Sequence, residues 1–342
     1  MANCHPFFIH IFSFLTMKIA ITGISGHIGN TIARALLIED FSIIALVRKK
    51  DKPSVQDLSI ELVEGDLFND SALDLLCKEA DVLIHLAGKI SIYEKDESEV
   101  LKTNIDGVKN IIDACIRNGV KKVIHFSSIH AHKPVGLNKI LNEHTPYEDD
   151  RSIFYNYSKS IGEQTMIKAR GRGLDVSIIN PTGGFGPFDF HPSLSGKMIL
   201  DIYNGKLPII VKGGYDWVDL RDISNAVLSI IKLNVVNEKF ILSGHWADLK
   251  TFAVQVCSFK NKPYNGLALP LWICKIGLPF ISIYSRIINS PPLYTSSSLK
   301  TIEEGSKRIE NTHAKELLNY SPRPLNESIR DTIIWFKQNN KI

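Results

Sequence analysis

Short runs of apolar residues recur through the first half of the chain, and each is followed by a stretch where apolar positions return every three or four residues. The first pattern fits a buried strand, the second a helix with one face in a core. Strands are predicted over Lys18–Thr22, Ser42–Val47, Ser59–Val63, Asp81–Leu86, Lys122–Ser127 and Leu174–Ile179. Helices are predicted between them, notably over Ser71–Ala80, Glu99–Asn118 and Ile153–Arg170. In the second of these, Val108, Ile111, Ile112 and Cys115 share the apolar side. Such alternation implies an α/β fold around a doubly wound parallel sheet. The rhythm breaks at Gly183, Gly184, Gly186 and Pro187. A first domain is therefore expected over 17–182, with 215–245 returning to it. A smaller, mostly helical C-terminal lobe is expected from 183–214 and 246–342. The chain has 342 residues, enough for a full doubly wound core and such a lobe.

Between the first strand and its helix the chain reads Thr22-Gly23-Ile24-Ser25-Gly26-His27-Ile28-Gly29. Glycines at this spacing, in this place, outline a Rossmann-type dinucleotide pocket. Gly23 permits the tight turn, Gly26 admits backbone close to a diphosphate, and Gly29 lets the helix pack on the strand. The free amides of the helix start then face the anion. At the end of the second strand, where an acid usually bonds the ribose hydroxyls, the chain carries Arg48, Lys49 and Lys50. A guanidinium grips a ribose phosphate bidentately and an acid repels it, so NADP(H) is favoured, with NAD(H) possible as cofactor. Asp66 after the third strand stands where adenine can be bonded, or else caps the next helix.

Composition narrows the partners. A net charge of +4, with 22% charged residues and no long block of one sign, leaves no footprint for nucleic acid. The five cysteines are scattered without paired spacing, which excludes a disulfide framework or zinc knuckle and fits the cytoplasm. The histidines His125, His130, His132 and His144 lack the carboxylate or thiol spacing of a metal site, so no metal is expected. Residues 1–16 are apolar but have neither a basic start nor a small-residue cleavage site, and read as a disordered or mis-started extension before Met17. A second apolar stretch, Leu267–Ile288, is interrupted by Pro270, Lys275, Pro279 and Arg286, so it is not a membrane span. A buried helix pair, a wall for an apolar substrate, or a surface resting on lipid fit it in that order.

The candidate chemistry lies in Tyr155-Asn156-Tyr157-Ser158-Lys159. Residues four apart on a helix share a face, so the Lys159 ammonium can approach the Tyr155 phenol. A nearby cation stabilises the phenolate and lowers a pKa that is ordinarily about 10. The strand ending Phe126-Ser127-Ser128 brings a hydroxyl, from Ser128, to the carboxyl edge of the sheet, where open α/β folds bind ligand.

At this point the sequence resembles the extended short-chain dehydrogenases/reductases, from Met17 to the C-terminus. The resemblance rests on the glycine motif, Asp66-Leu67, His85-Leu86-Ala87-Gly88, Asn104, Ser127-Ser128, Tyr155-x-x-x-Lys159, Asn180-Pro181, Gly186-Pro187 and Val218-x-x-x-Asp222. It implies a nicotinamide cofactor, with Tyr155 as acid/base, Lys159 on the nicotinamide ribose, Ser128 on the substrate oxygen and Asn104 supporting the site. It adds Leu67, Leu86, Ala87, Gly88, Asn180, Pro181 and Thr182 to the cofactor contacts. A homodimer built on the helices carrying Asn104 and Lys159 is implied as well. The tail around Tyr320-Ser321-Pro322-Arg323-Pro324-Leu325 looks like that of dihydroflavonol-reductase-like and sugar-epimerase-like members.

Two departures bear on the reaction. Tyr215 stands where nucleotide-sugar epimerases of this family carry a diphosphate-binding arginine, and Ile129-His130 follows Ser128 where the dehydratases place acids. Net oxidation or reduction of a secondary alcohol/ketone pair is therefore expected, of dihydroflavonol-reductase or hydroxysteroid-dehydrogenase type. Leu269, Leu271, Trp272, Ile273, Phe280 and Ile283 suit a partly apolar small-molecule substrate, or are plain core. The alternatives are a nucleotide-sugar epimerase, for which Arg221 can still serve as an anion ligand, and a non-catalytic NAD(P)-sensing protein, which has no need of the Ser128, Tyr155, Lys159 trio.

Overall fold

The computed structural model describes residues 17–50, 52–91, 96–278 and 296–342. Residues 1–16, Phe280 and Ile283 lie outside them. Seven parallel strands form the main sheet: β1 (Lys18–Thr22), β2 (Ser42–Val47), β3 (Glu61–Glu64), β4 (Val82–His85), β5 (Lys122–Phe126), β7 (Asp175–Pro181) and β11 (Lys239–Leu242). Their order is β11-β7-β5-β4-β1-β2-β3, so the chain winds outward in both directions from β1.

Strand residues alternate between two cores. Ile19, Ile21, Val82, Ile84 and Ile124 point to one face, under α1 (His27–Ile38), while Ala20, Leu83 and Val123 point to the other, under α2 (Asp70–Cys77). The second face is also covered by α3 and α4. α3 runs from Glu97–Leu101 through a π turn, Lys102–Asp106, into Gly107–Asn118; α4 is Phe154–Lys168. Both faces of the strands other than the edge strand β3 are buried, which is why they read as near-continuous apolar runs.

Most of the remaining elements form the smaller part. They include β8 (Gly183–Phe185), α5 (Leu194–Tyr203), β9 (Ile209–Val211), β10 (Gly214–Asp219), β12 (His245–Asp248), α7 (Leu249–Ser258) and β13 (Leu267–Leu269). Between β10 and β11 lies α6 (Leu220–Lys232). The strands make a small sheet, β12-β10-β8, and a separate pair, β13-β9, while a further pair joins β6 (Ile140–Leu141) to β14 (Arg308–Ile309). This part has its own core, in which Trp217 stacks on Phe252 at 4.5 Å between centroids, with Phe185 edge-on to both. Segment 215–245 divides between the two: β10 belongs to the small sheet, whereas α6 packs on the first core and β11 closes the large sheet. In the C-terminal tail α8 (Ser296–Glu304) and α10 (Leu325–Gln338) join the smaller part, but α9 (Thr312–Leu318) and Tyr320 return to the first core.

The apolar stretch from Leu267 is not a buried helix pair where it is described. Leu267 is in β13 and 65% exposed, and the helical residues 271–278 leave Trp272 and Ile276 more than 60% exposed. Leu269, Leu271 and Ile273 are half-buried. Among the described residues no helix is long and apolar enough to cross a membrane.

Candidate active site

A parallel sheet ends all its strands at one edge, and that edge collects the residues singled out above. At the end of β1, Gly23 has a left-handed φ of 80°. A Cβ there would lie 2.7 Å from the Ala87 amide nitrogen, so only glycine fits beside the Leu86–Ala87 backbone. At Gly29 a Cβ would meet the Gly23 carbonyl at 2.4 Å. Gly26 is the exposed N-cap of α1, with no side-chain cap and no acid in the first turn. The helix start is therefore open, with free amides and a positive dipole end, which fits a diphosphate. Ser25 accepts from Lys52 Nζ at 3.4 Å, His27 meets the Pro187 carbonyl at 2.8 Å, and Ile28 is packed on the first core.

Of the other expected cofactor residues, Leu86 and Ala87 pack their backbone against this turn. Thr22 Oγ1 accepts from the Ala87 amide at 3.2 Å and meets His85 Nδ1 at 2.7 Å. Gly88 sits beside Asn104, whose Oδ1 would be 3.1 Å from a Cβ at that position. Arg48 is exposed just past β2 and has no partner among the described residues. Asp66 is exposed and accepts from the Phe68 amide at 2.8 Å; the cap of α2 is instead Asn69, which accepts from Ala72 at 3.0 Å. Leu67 is buried against Gly107. Asn180 and Pro181 end β7, and Thr182 donates to Asp216 at 2.6 Å.

Ser128, Tyr155, Lys159 and Asn104 converge. Ser128 caps a 3-10 turn, Ile129–Ala131, that packs on α4, its hydroxyl accepts from the His130 amide at 3.2 Å, and the His130 ring lies 6.4 Å from that of Tyr155. Asn104 is buried in the π turn of α3, a feature often found at functional positions. Its amide clasps Lys89 through both main-chain groups, at 2.8 and 3.0 Å, and donates to Ser158 Oγ at 2.9 Å. Ser158 in turn donates to the Tyr155 carbonyl at 2.7 Å. Asn104 thus reaches Tyr155 through Ser158.

The electrostatics depart from expectation at the phenol. Burial pushes Tyr155 above its ordinary value, and the polar Ser128 side chain only partly opposes this. The Lys159 ammonium does not act on the phenol; it donates to the Phe126 carbonyl at 2.8 Å. Burial also lowers Lys159 to about 8, against an upward pull from Glu163. The histidines are neutral: burial takes His85 down to about 3 and His130 to about 4, and His125 well below its usual range. His85 and His125 stack at 5.3 Å, and their Nε2 and Nδ1 respectively are buried without a partner. Neutral rings beside an ammonium and an open, amide-lined turn fit a nicotinamide dinucleotide, in which polar ribose and phosphate meet a site with donors to spare.

The profile of the NAD dependent epimerase/dehydratase family matches residues 19–242. The chain belongs to this family. Its members are NAD(P)-dependent enzymes, the extended short-chain dehydrogenases/reductases. Sterol demethylase protein B of Methylococcus capsulatus is 28% identical over 95% of this chain and 100% of its own length. Dihydroflavonol 4-reductase of Solanum lycopersicum is 26% identical over 92% of this chain and 87% of its own. Among solved structures, that of gox2253 superposes with a TM-score of 0.82, at 27% identity over 95% of this chain and 99% of the other. The seven-stranded parallel sheet with its smaller C-terminal part is the family's architecture.

Several residues beside these candidate groups were not singled out in the sequence. Glu163 shares a face of α4 with Tyr155 and Lys159, at eight and four residues' distance, and that spacing is a readable signal. Tyr147, Lys239 and Lys89 come from loop, edge strand and turn, where no local pattern marks them.

Proposed function

We propose that the protein is an NADP(H)-preferring oxidoreductase that interconverts a secondary alcohol and a ketone, as a carbonyl reductase of dihydroflavonol-reductase or hydroxysteroid-dehydrogenase type. The observation that carries this is the packing of the turn that starts at Ser128 on α4, with the His130 ring 6.4 Å from that of Tyr155, at the carboxyl edge of the sheet where the glycine turn also lies. The nicotinamide, when bound, supplies or accepts the hydride. Ser128 orients the substrate oxygen and Tyr155 exchanges the proton with it. Lys159 turns from the Phe126 carbonyl to the ribose and supports the phenolate, while Asn104 holds Tyr155 through Ser158. Arg48, exposed and unpaired among the described residues, is available for a ribose phosphate. Asp66 faces the adenosine end, and the glycine turn holds the diphosphate. Helices α3 and α4 form the contact of a homodimer.

The sugar-epimerase reading loses its remaining anion ligand. Arg221 is committed to Asp219 at 3.0 and 2.7 Å and to Asp331 at 2.8 Å, and Tyr215 lies edge-on to Trp217 at 5.5 Å. A substrate without a diphosphate fits these commitments better.

Thermal-shift screening with NADPH and NADH, followed by NADPH consumption over ketones, flavonoid-like and steroid-like carbonyls and nucleotide sugars, tests the proposal. Tyr155→Phe is expected to lower turnover by about a hundredfold to ten-thousandfold with cofactor affinity unchanged. Unaltered turnover in that variant would remove Tyr155 from the reaction, and absence of NADPH consumption over the whole panel would favour the sensor reading.

A further inference from the structure

Behind the reacting groups lies a buried charge pair that the proposed reaction does not use. Glu163, one turn after Lys159 on α4, is fully buried. Its Oε1 lies 2.6 Å from Lys239 Nζ and accepts from the Tyr147 hydroxyl at 2.9 Å. Its Oε2 accepts from Asn180 Nδ2 at 2.7 Å, and the same amide group donates to the Ser128 carbonyl at 2.9 Å. Lys239 opens β11, the edge strand of the sheet, with its ammonium 4.6 Å over the Tyr147 ring. A continuous path therefore runs from the sheet edge to the main chain of Ser128.

We propose that Glu163 and Lys239 are positioning residues of this site: the pair keeps a negative charge one helical turn from Lys159 and, through Asn180, holds the main chain of Ser128. This rests on reading Tyr155 and Lys159 as the working pair. A carboxylate buried without a counter-charge takes up a proton. Lys239 prevents that, holding Glu163 below the ordinary carboxylate range against its burial. The negative charge so preserved opposes the burial that drives Lys159 down to about 8. The other groups facing Lys159 cannot supply it: His85 on β4 and His125 on β5 are neutral, and Tyr155 is pushed upward. Around Glu163 itself stand Lys239, Tyr147, His132 and Arg170, with His132 lowered by burial and Tyr147 raised by it. One buried anion thus serves two cations, one structural and one in the site.

The test is direct titration of Lys159 in the full-length protein carrying lysine labelled with carbon-13 at Cε. Lys159 is identified by the signal lost in Lys159→Arg, and is expected to titrate near 8, apart from lysines of ordinary value. In Glu163→Gln its midpoint is expected to fall by about one pH unit or more. Lys239→Met is expected to shift it the same way, because Glu163 then takes up a proton, and Lys239→Arg to restore it. An unchanged or raised midpoint in Glu163→Gln overturns the proposal, as does an unchanged midpoint in Lys239→Met. Should Glu163→Gln fail to fold, the half-buried Lys239 still carries the test through Met and Arg. The titration needs neither substrate nor cofactor, so its outcome is independent of the carbonyl screen that tests the proposed reaction.

Discussion

A phenol works as a proton donor only where its surroundings bring its pKa within reach, and at Tyr155 the surroundings pull in both directions. Burial raises it and the Ser128 hydroxyl lowers it, while Lys159 looks to Phe126 instead. The spacing of Tyr155 and Lys159 was readable from four-residue periodicity; the direction in which the ammonium points was not, because a lysine side chain spans several rotamers that only its neighbours choose among. At the other end of the pocket, Arg48→Asp is expected to reduce the ratio of NADPH to NADH affinity by about tenfold or more, since a bidentate phosphate contact gives way to repulsion. Equal ratios measured by cofactor fluorescence would detach Arg48 from the phosphate. The histidines carry a prediction of the opposite kind, on stability. His85 and His130 fall to about 3 and 4 when folded, from about 6.5 unfolded. Between those limits the unfolded chain binds more protons, so stability rises with pH in that window. Acidification from pH 6.5 towards 4 is therefore expected to lower the urea midpoint, and His130→Gln to remove part of that slope.

Among the elements, α4 departs most from the simple apolar stripe. Its inner face carries Ser158, Ser160, Gly162 and Glu163, all buried, where a core helix would present aliphatic side chains. Three of them serve the site: Ser158 links Asn104 to Tyr155, Glu163 binds Lys239, and Gly162 admits α3. A Cβ at Gly162 would stand 2.5 Å from the Asn104 carbonyl. Gly162→Ala is thus expected to push α3 and α4 apart, to cost about 1–3 kcal/mol in urea unfolding, and to weaken turnover through displaced Asn104. An unchanged midpoint would show that the π turn can yield. Strand and helix placement was largely legible: β2 and the end of α3 fall where periodicity put them, and β3 lies two residues late, at Glu61–Glu64. The π turn was invisible, since one extra residue per turn leaves no mark on a pattern read at 3.6 residues.

For the molecule as a whole, ion pairs fasten the C-terminal tail to α6 and to the end of β10. Arg323, before α10, donates to Asp222 on α6 through both its amide, at 2.8 Å, and its Nε, at 2.7 Å, while Arg221 ties Asp219 to Asp331 on α10. Asp222 is buried, so Asp222→Ala strips the guanidinium of its principal partner, and a loss of roughly 3 kcal/mol is expected by urea unfolding. A loss below about 0.5 kcal/mol would class the contact with ordinary surface pairs. His27 adds a second fastening, from the first turn of α1 to the Pro187 carbonyl beyond β8, which sets the glycine turn at the meeting of the two parts. By itself the amino-acid sequence determined the alternation of strands and helices, the parallel sheet, the glycine turn and the family motifs, because each is written in local periodicity or in residues a few positions apart. The tertiary structure alone decided that Lys239 reaches Glu163 across 76 positions of chain, that Asn180 joins that pair to Ser128, and that Arg221 is already engaged. Those contacts depend on which strands become neighbours in the sheet, and no local pattern encodes the charge that a distant strand will bring to a buried carboxylate.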